Sequence, residues 1–470
     1  MYPVGLDKMA DPPGTLVYGA SGKAAKAPHG EEHHVSAIET TARNADMQTI
    51  LGILNNQRAR RLDVVANSAA IHAVDGNLVV ADAMVGMSLE GGVGRQDGTF
   101  QPTAICDEKL AARLDIPTAY LKKLRGSGRT DLWDANVNGL LHGGGDVIVT
   151  DDGPTLQHAA DPRKHLLRLL AGDPGEMGVA RAVMSQRYRF IETLDWALAV
   201  LAGINDSGAT PLPPICDLSD RRFYMRIEMP EIAMLAPKLL DGYRNPFGGQ
   251  QARERAGLGD NALRMQERHG QWTVAEALAA AQAEGMGYKP GEEPVVWAGI
   301  VASNSETGDG SASIAPQIRV KVCRNGLTID AAADRKIHLG GALAEGQVEW
   351  SQETAEAELA LVTAQVRDAV RTWCKPEWLA ERVAEIEALA SAPIANPQAT
   401  IKEVAKATGF TQAQADAILA FFIDGGQATA GGLANAATAY AQTVASPEVA
   451  NFTERHAVEL MQRAATLARR

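Results

Sequence analysis

The sequence has few aromatic residues, few cysteines and no long apolar run. Aromatic residues make up 5% of the chain, and its four cysteines (Cys106, Cys216, Cys323 and Cys374) form no closely spaced pairs. This spacing excludes a zinc knuckle and a CxxC redox site, and it fits free thiols in a reducing cytoplasm. No apolar run is long enough to span a membrane, and no apolar stretch follows a basic start. We therefore predict neither a membrane segment nor a secretory signal.

The motifs of common nucleotide and hydrolase sites are also missing. Gly92-Val93-Gly94 lacks the third glycine of a dinucleotide-binding loop, and the sequence has no GxxxxGK[ST], GxSxG or HExxH motif. His33 and His34 lie in a predicted disordered arm, where a metal ion would find little preorganisation. The sequence therefore predicts no catalytic set, no bound metal and no cofactor.

With 46% hydrophobic and 22% charged residues, the composition is typical of a packed globular protein. Alternating apolar runs predict strands in the first two-thirds of the chain, and helical spacing dominates after about residue 350. We predict an α+β protein with a central, mostly antiparallel sheet, flanking helices and a C-terminal helical bundle. The predicted parts are a disordered arm (1–45), a small N-terminal α+β domain (46–145), a β-rich core domain (181–345) and a helical domain (346–470).

Turn and cap residues predict where several elements begin or end. Asp75-Gly76 and Asn325-Gly326 have the composition of two-residue hairpin turns. Three residues are predicted to cap helix N-termini: Thr193, Thr411 and Ser446.

Positive charge is concentrated in one block, although the net charge of −12 argues against a simple binder of polyanions. Residues 181–270 hold eleven arginines and one lysine. Arginines that alternate with aromatic residues are typical of single-strand platforms, where guanidinium groups bind phosphates and rings stack on bases. The alternative is a solvated surface with local ion pairs, since eleven acidic residues share the block. The predicted nucleic-acid contacts are Arg187, Tyr188, Arg189, Arg221, Arg222, Tyr224, Arg226, Arg319 and Lys321.

Small polar residues crowd the end of a predicted buried strand at 303–310. An anion could be held by the backbone N–H groups of this segment, and the predicted anion loop is Ser303, Asn304, Ser305, Thr307 and Gly308. The alternative is a hairpin loop whose side chains bond their own backbone. An enzymatic alternative joins residues 303–306 to His338, where hydroxyls, a carboxylate and an imidazole would converge.

Four separated motifs resemble the DUF932 family of phage and plasmid proteins. They are SQRYRFI (185–191), SNSETGDGSASIAPQIRVKVCRNGLTI (303–329), RKIHLGG (335–341) and TAGGLANAATAYAQTVASPEVANFTERHAVELM (429–461). The resemblance covers roughly residues 181–465 and departs from the family pattern by NAAT in place of NAVT. It implies an intracellular protein made during phage or plasmid replication, and it assigns no chemistry because the family has no established biochemical role.

These observations together predict a DNA-metabolism protein that binds single-stranded DNA in the host cytoplasm. The predicted order of strands, a helix and further strands with a basic face is loosely similar to that of the Rad52-like annealing proteins. This similarity is an analogy of fold alone. Annealing needs no nucleophile–base pair. The alternative is a protein-interaction or assembly module, in which acidic, Ala-rich C-terminal helices pack against a partner or against copies of the chain. The predicted partners are single-stranded DNA and a homo-oligomer.

Overall fold

The described part of the chain contains two six-stranded sheets, a two-stranded sheet, five helices in its first half and a C-terminal group of six helices. The computed structural model describes residues 38–87, 93–150, 153–240, 243, 295–320, 326–328 and 352–469. The predicted α+β class is confirmed, and so is the helical C-terminal part. No helix in these ranges has the length and apolar composition needed to cross a membrane.

The strands and helices are numbered in chain order. The strands are β1 (Ala42–Asp46), β2 (Arg61–Asn67), β3 (Ile71–Val74), β4 (Asn77–Met87), β5 (Val93–Pro102), β6 (Gly144–Thr150), β7 (Gly153–His158), β8 (Lys164–Leu170), β9 (Gly178–Ser185), β10 (Ile215–Leu218), β11 (Phe223–Leu235), β12 (Val295–Asn304), β13 (Ser313–Val320) and β14 (Gly326–Thr328). The helices are α1 (Met47–Arg60), α2 (Ala104–Leu114), α3 (Thr118–Gly126), α4 (Thr130–His142), α5 (Thr193–Ser207), α6 (Gln352–Trp373), α7 (Pro376–Ala390), α8 (Pro397–Thr408), α9 (Gln412–Gly425), α10 (Ala430–Thr443) and α11 (Pro447–Ala468).

The central sheet has the order β1-β10-β11-β12-β13-β14, and all its pairings are antiparallel. The N-terminal sheet has the order β2-β8-β9-β5-β4-β3, with one parallel pairing between β5 and β9. The sheets do not divide at the predicted domain boundaries. Strand β9 belongs to the N-terminal sheet, and β1 from the predicted arm belongs to the central sheet. Ser36–Arg470 forms one compact unit.

Local signals locate most of the predicted turns and caps correctly. Asp75 and Gly76 both have positive φ, as a type I′ turn between β3 and β4 requires. Thr411 forms a capping box with Gln414, and Ser446 caps α11. The prediction for Thr193 is wrong, because Glu192 occupies the N-cap position and Thr193 is the first helical residue. Asn325 lies outside the described residues.

The two faces of the central sheet differ in polarity. Met225, Ile227 and Ile300 point to one face, where they join a large apolar core with α5 and the C-terminal helices. Alternate residues point to the opposite face because side chains along a strand alternate. That face carries Tyr224, Arg226, Glu228, Gln317 and Arg319, and we call it the polar face.

The alanine-rich segment of α10 lies inside the protein. Residues 430–439 are all buried, and their small side chains pack against other elements of the same chain. At Gly431, an added Cβ would lie 3.0 Å from the Ala390 Cβ, so α10 and α7 approach closely there. The expectation that this alanine-rich surface is offered to a partner is therefore wrong for α10.

Two glycine-to-alanine changes are expected to have opposite effects on stability. An added Cβ at Gly203 would lie 2.6 Å from the Thr363 carbonyl oxygen, where α5 meets α6. We expect Gly203→Ala to cost about 1–3 kcal/mol through overpacking. Gly139 in α4 is exposed with no atom within 4 Å of the added Cβ, so Gly139→Ala should stabilise the protein by about 1 kcal/mol. Urea unfolding of both variants checks this, and equal shifts would contradict it.

Candidate functional site

The segment 303–310 begins with the last two residues of β12 and ties the central sheet to the N-terminal sheet. Glu306 is 5% exposed and accepts hydrogen bonds from Arg168 of β8 at 3.2 Å and Arg181 of β9 at 2.5 Å. Its other oxygen accepts from the backbone N–H of Thr193 at 2.5 Å, at the start of α5. One carboxylate therefore pairs two buried guanidinium groups and satisfies a helix N-terminus.

The surroundings of Glu306 make it a weak base. Burial raises its pKa, but the charges of Arg181 and Arg168 outweigh burial and lower the pKa to about 2. A carboxylate with so low a pKa accepts protons poorly near neutral pH, where general bases act best when their pKa is close to 7. His338, its partner in the enzymatic alternative, lies outside the described residues. The contacts of Glu306 give it a structural role.

The side chains of the predicted anion loop are bonded to the protein's own groups. The four polar side chains are between 1% and 4% exposed. Gly308 has a φ of +82°, which allows the sharp turn after them. An outside anion would have to displace existing contacts of these side chains, so the side chains form a structural junction. Anion binding by the backbone N–H groups of the segment stays a prediction. The pairs are Arg222 with the Ser303 hydroxyl (2.9 Å), Asn304 with the Ile191 carbonyl (2.8 Å), and Ser305 (2.8 Å) and Thr307 (3.1 Å) with the Arg221 carbonyl.

Arg221 and Arg222 are held by groups of this junction and of α2. Arg221 pairs with Glu108 of α2 and, at 2.7 Å, with Asp309. Arg222 donates to the Asp309 carbonyl, and burial lowers its pKa. Tyr224, 5.8 Å from the Arg222 guanidinium, is 6% exposed. These three predicted DNA contacts therefore do not lie free on an open surface, because Tyr224 is buried and the half-buried Arg221 and Arg222 are held by groups of neighbouring elements.

The turn after β9 is the more exposed part of the predicted DNA surface. Arg187, Tyr188 and Arg189 are half-buried there. The Tyr188 ring stacks with Phe190 at a centroid distance of 6.5 Å, and the Arg168 guanidinium lies 3.6 Å over the Phe190 ring. Arg187 and Arg189 also have interactions within the chain. DNA contact by this turn stays a prediction.

A row of alternating charges crosses the polar face of the central sheet. It begins at Asp217, which is fully buried and pairs with Arg43 of β1 and, at 2.6 Å, with Arg226. The backbone N–H of Asn44 also donates to Asp217, at 2.7 Å. Burial raises the pKa of Asp217, but Arg226 and Arg43 outweigh burial and lower it. Asp217 is therefore an ionised, well-paired carboxylate that fixes two arginines.

The row continues through Arg319. Its guanidinium lies 3.1 Å from Glu228 and 3.9 Å from Glu454 of α11. Arg226 and Arg319 are each 4% exposed, so the prediction that they lie on an open face is also wrong. Lys321, another predicted nucleic-acid contact, lies outside the described residues. The six charges of the row are three cations and three anions: Arg43, Asp217, Arg226, Glu454, Arg319 and Glu228.

A cavity of about 650 Å³ lies beside this row, and we call it the arginine cleft. Its volume falls within the range of about 300–1,000 Å³ that small-ligand sites occupy. Asn44 and Thr443 are exposed, whereas Arg226, Arg319 and Glu454 are buried, so the cleft runs from solvent to buried charges. The residues that line it are Arg43, Asn44, Ile215, Arg226, Arg319, Gln442, Thr443 and Glu454.

Two guanidinium nitrogens of the cleft lack hydrogen-bond partners among the described residues. They are Nη1 of Arg226 and Nη1 of Arg319, and both atoms are buried. Buried polar atoms are nearly always bonded, so each exception in a folded protein calls for a ligand, an ion or a water molecule. The arginine cleft is therefore where the described structure is best suited to hold an acceptor group of a ligand.

Two of the four charged residues that line this cleft, Arg43 and Glu454, were not among the predicted contacts. Arg43 fell in the predicted disordered arm, and β1 is too short to show an alternating pattern of its own. Glu454 did leave a signal, because it stands with Ala450, Ala457 and Met461 on the buried stripe of α11. A carboxylate on the apolar stripe of an amphipathic helix indicates a buried partner.

A serine–histidine pair in the N-terminal part does not form a nucleophile–base arrangement. His165 Nε2 lies 2.9 Å from Ser68 Oγ and 3.4 Å from an Asp161 oxygen, and its Nδ1 faces the Arg113 Nε at 3.4 Å. Burial lowers the pKa of His165, which favours the neutral ring. Arginine only donates hydrogen bonds, so Nδ1 is the acceptor and Nε2 carries the proton. Nε2 therefore cannot take the proton of Ser68.

The comparisons with known proteins assign no family and no residue roles. The chain matches no protein-family model, no curated protein and no solved structure. The resemblance to the DUF932 family therefore stays a prediction. Within the described ranges, no group of three or more His, Cys, Asp or Glu side chains could hold a metal ion.

Proposed function

We propose that this protein binds single-stranded DNA and that the arginine cleft is the binding site. The observation that carries the proposal is the convergence of Arg43, Arg226 and Arg319 on one cleft that runs from solvent to buried charges. Guanidinium groups are the side chains best suited to bind phosphates, because their planar donors match two phosphate oxygens. The resemblance to the DUF932 family supports a setting in phage or plasmid DNA metabolism.

The shape of the cleft favours a single strand over a duplex. Arg226, Arg319 and Glu454 are buried in it, and a rigid duplex cannot bring its phosphates to such depth. An unpaired strand can splay a base or a phosphate into a pocket, as single-strand binders require. Strand annealing is the step that we propose follows binding, because it needs the strand to be held and needs no nucleophile.

The salt dependence of binding is expected to be shallow. The three arginines of the cleft are balanced by Asp217, Glu228 and Glu454, so few counterions are released when DNA binds. With at most three phosphate contacts, the slope of log K against log salt should be no steeper than about −2. Fluorescence anisotropy of a labelled oligonucleotide between about 50 and 200 mM salt measures this slope. A much steeper slope would place binding on another, more basic surface.

Blocking the mouth of the cleft tests the site. Thr443 is exposed at the end of α10, and its hydroxyl bonds only the nearby Tyr440 carbonyl among the described contacts. We expect Thr443→Trp to weaken oligonucleotide binding by about tenfold or more, since one lost phosphate contact of 1.4 kcal/mol has that effect. Thr466→Trp is the matched control, because Thr466 is exposed near the end of α11 and bonds the Gln462 carbonyl.

Three outcomes of these measurements decide the proposal. No binding of the wild-type chain at about 50 mM salt removes the proposal as a whole, since electrostatic binding is strongest at low salt. Equal weakening by both tryptophan variants removes the cleft as the site. Selective weakening by Thr443→Trp, with faster pairing of complementary oligonucleotides by the wild type, supports binding and annealing together.

A further inference from the structure

We infer that Glu454 is an internal competitor in the arginine cleft, and that a phosphate of the ligand displaces its carboxylate. The inference rests on the proposed function and deepens it, because it assigns a residue that regulates access to the same site. Glu454 reaches the polar face from α11, where it lies 3.9 Å from Arg319 and lines the cleft together with Arg226. Its contacts, the charges around it and the consequences of its removal all support this role.

The contacts of Glu454 are long for a buried carboxylate. It is 5% exposed, yet its oxygens lie 3.9 Å from Arg319 and 3.5 Å from Gln317. Charge-assisted hydrogen bonds between ammonium-type donors and carboxylates are normally about 2.7–2.9 Å long. Asp217, at the other end of the row, meets Arg226 at 2.6 Å and the Asn44 N–H at 2.7 Å. Glu454 therefore lies near a position where an anion could bind, but it makes no short charge-assisted hydrogen bond to the arginines there.

The nitrogen that faces Glu454 is the one that lacks a hydrogen-bond partner. Nη1 of Arg319 is 3.9 Å from the carboxylate and has no hydrogen bond to it. Nη1 of Arg226, which also lines the cleft, has no hydrogen-bond partner among the described residues either. A phosphate has several acceptor oxygens, so it can satisfy both nitrogens at once, whereas the tethered carboxylate satisfies neither. Exchange of Glu454 for a phosphate therefore increases the number of short charge-assisted bonds.

Removal of Glu454 leaves the remaining charges paired. Arg226 keeps Asp217 and Arg319 keeps Glu228, so neither guanidinium loses its close partner. The row changes from three cations and three anions to three cations and two anions. The cleft then attracts an anion more strongly, and the ligand no longer has to displace an internal carboxylate. A side chain that was needed only for packing would not produce this gain.

The test is oligonucleotide binding by Glu454→Gln, which removes the charge and preserves the shape. We expect the affinity of a labelled single-stranded oligonucleotide to rise at least about tenfold, because an anion in the site opposes the incoming phosphate. Glu459→Gln is the matched control: it lies on the same helix, is exposed and pairs with Arg463. Its affinity should equal that of the wild type. The affinity of Glu454→Ala is measured as well, so that the test still gives a result if Glu454→Gln folds poorly.

The possible results separate this inference from the proposed function. The inference is supported if Glu454→Gln binds the oligonucleotide more tightly than the wild type and the double variant Glu454→Gln, Thr443→Trp does not. That result also locates the gain in affinity in the cleft. Equal affinity of the wild type, Glu454→Gln and Glu454→Ala overturns the inference and leaves the proposed function standing. No binding by any of these chains overturns both. Binding by the glutamine variant alone supports the inference and shows that Glu454 closes the wild-type site.

Discussion

Replacing Glu306 with alanine is expected to lower the free energy of unfolding by about 3–5 kcal/mol, the usual effect of removing one partner from a buried ion pair. Arg168 and Arg181 are only 2% and 6% exposed, and their guanidinium groups would lose this carboxylate as a partner. The N–H of Thr193 at the start of α5 would also lose its acceptor. Each of these groups belongs to a different element, so the loss affects the connection between the two sheets.

Urea unfolding of the variant measures this effect, with Asp131→Ala as the control. Asp131 also pairs with an arginine, Arg129, but both side chains are more than half exposed. Exposed pairs contribute little to stability, so the control should lower the free energy of unfolding far less than Glu306→Ala. If Glu306→Ala were as mild as the control, the junction would not be holding the two sheets together.

The pH dependence of the Glu306 contribution follows from its pKa. The folded-state pKa is about 2 and lies below the usual glutamate value, because Arg181 and Arg168 outweigh burial. Glu306 therefore stabilises the folded state fully above the unfolded pKa of about 4.3, and this stabilisation is lost as the pH falls from there toward 2. The difference in unfolding free energy between the wild type and Glu306→Ala should shrink over that interval. A difference that stays constant would contradict the pairing.

Replacing Asp217 with asparagine is expected to cost a similar amount, about 3–5 kcal/mol, for the same physical reason at a different place. Asp217 is fully buried and pairs with both Arg43 and Arg226, and the neutral amide would leave two guanidinium groups without a counter-charge. Arg43 is on β1, which pairs only with β10 in the central sheet. We therefore expect the edge strand β1 to be the first element to loosen.

Hydrogen exchange checks this expectation strand by strand. The amides of β1 should exchange faster in Asp217→Asn, while those of β12 in the middle of the central sheet should change less. Asp46→Ala is the control, because Asp46 is the last residue of β1, caps α1 and is not part of the charge row. Loss of this exposed N-cap should destabilise the protein much less than Asp217→Asn. Equal destabilisation by the two variants would contradict the central role of Asp217.

Arginine in this chain is largely a structural residue on the polar face and at the junction. Each of Arg168, Arg181, Arg221, Arg226 and Arg319 meets a carboxylate, and the carboxylates come from several different elements. The composition of residues 181–270 suggested an open surface for phosphates. The alternative of local ion pairs describes more of these arginines, although the pairs are buried and bridge distant parts of the chain.

The sequence by itself determined the features that depend on neighbouring residues. The α+β class follows from the period of the apolar residues, and the turn at Asp75-Gly76 follows from the positive φ that these residue types tolerate. The caps at Thr411 and Ser446 follow from side chains that bond an N–H three residues later. Such interactions act within one turn of the chain, so a single sequence contains them completely.

Only the tertiary structure decided which polar residues are buried and what they meet. Arg319 meets Glu228 across 91 positions of the chain, and Arg181 meets Glu306 across 125 positions. Glu454 reaches Arg319 from a helix that is still more distant in sequence. A cation next to an aromatic residue has the same local pattern whether it faces water or a distant carboxylate. The energy of a charge depends on its solvent exposure and on its partners in space, and both are fixed only when the two sheets and the C-terminal helices pack together.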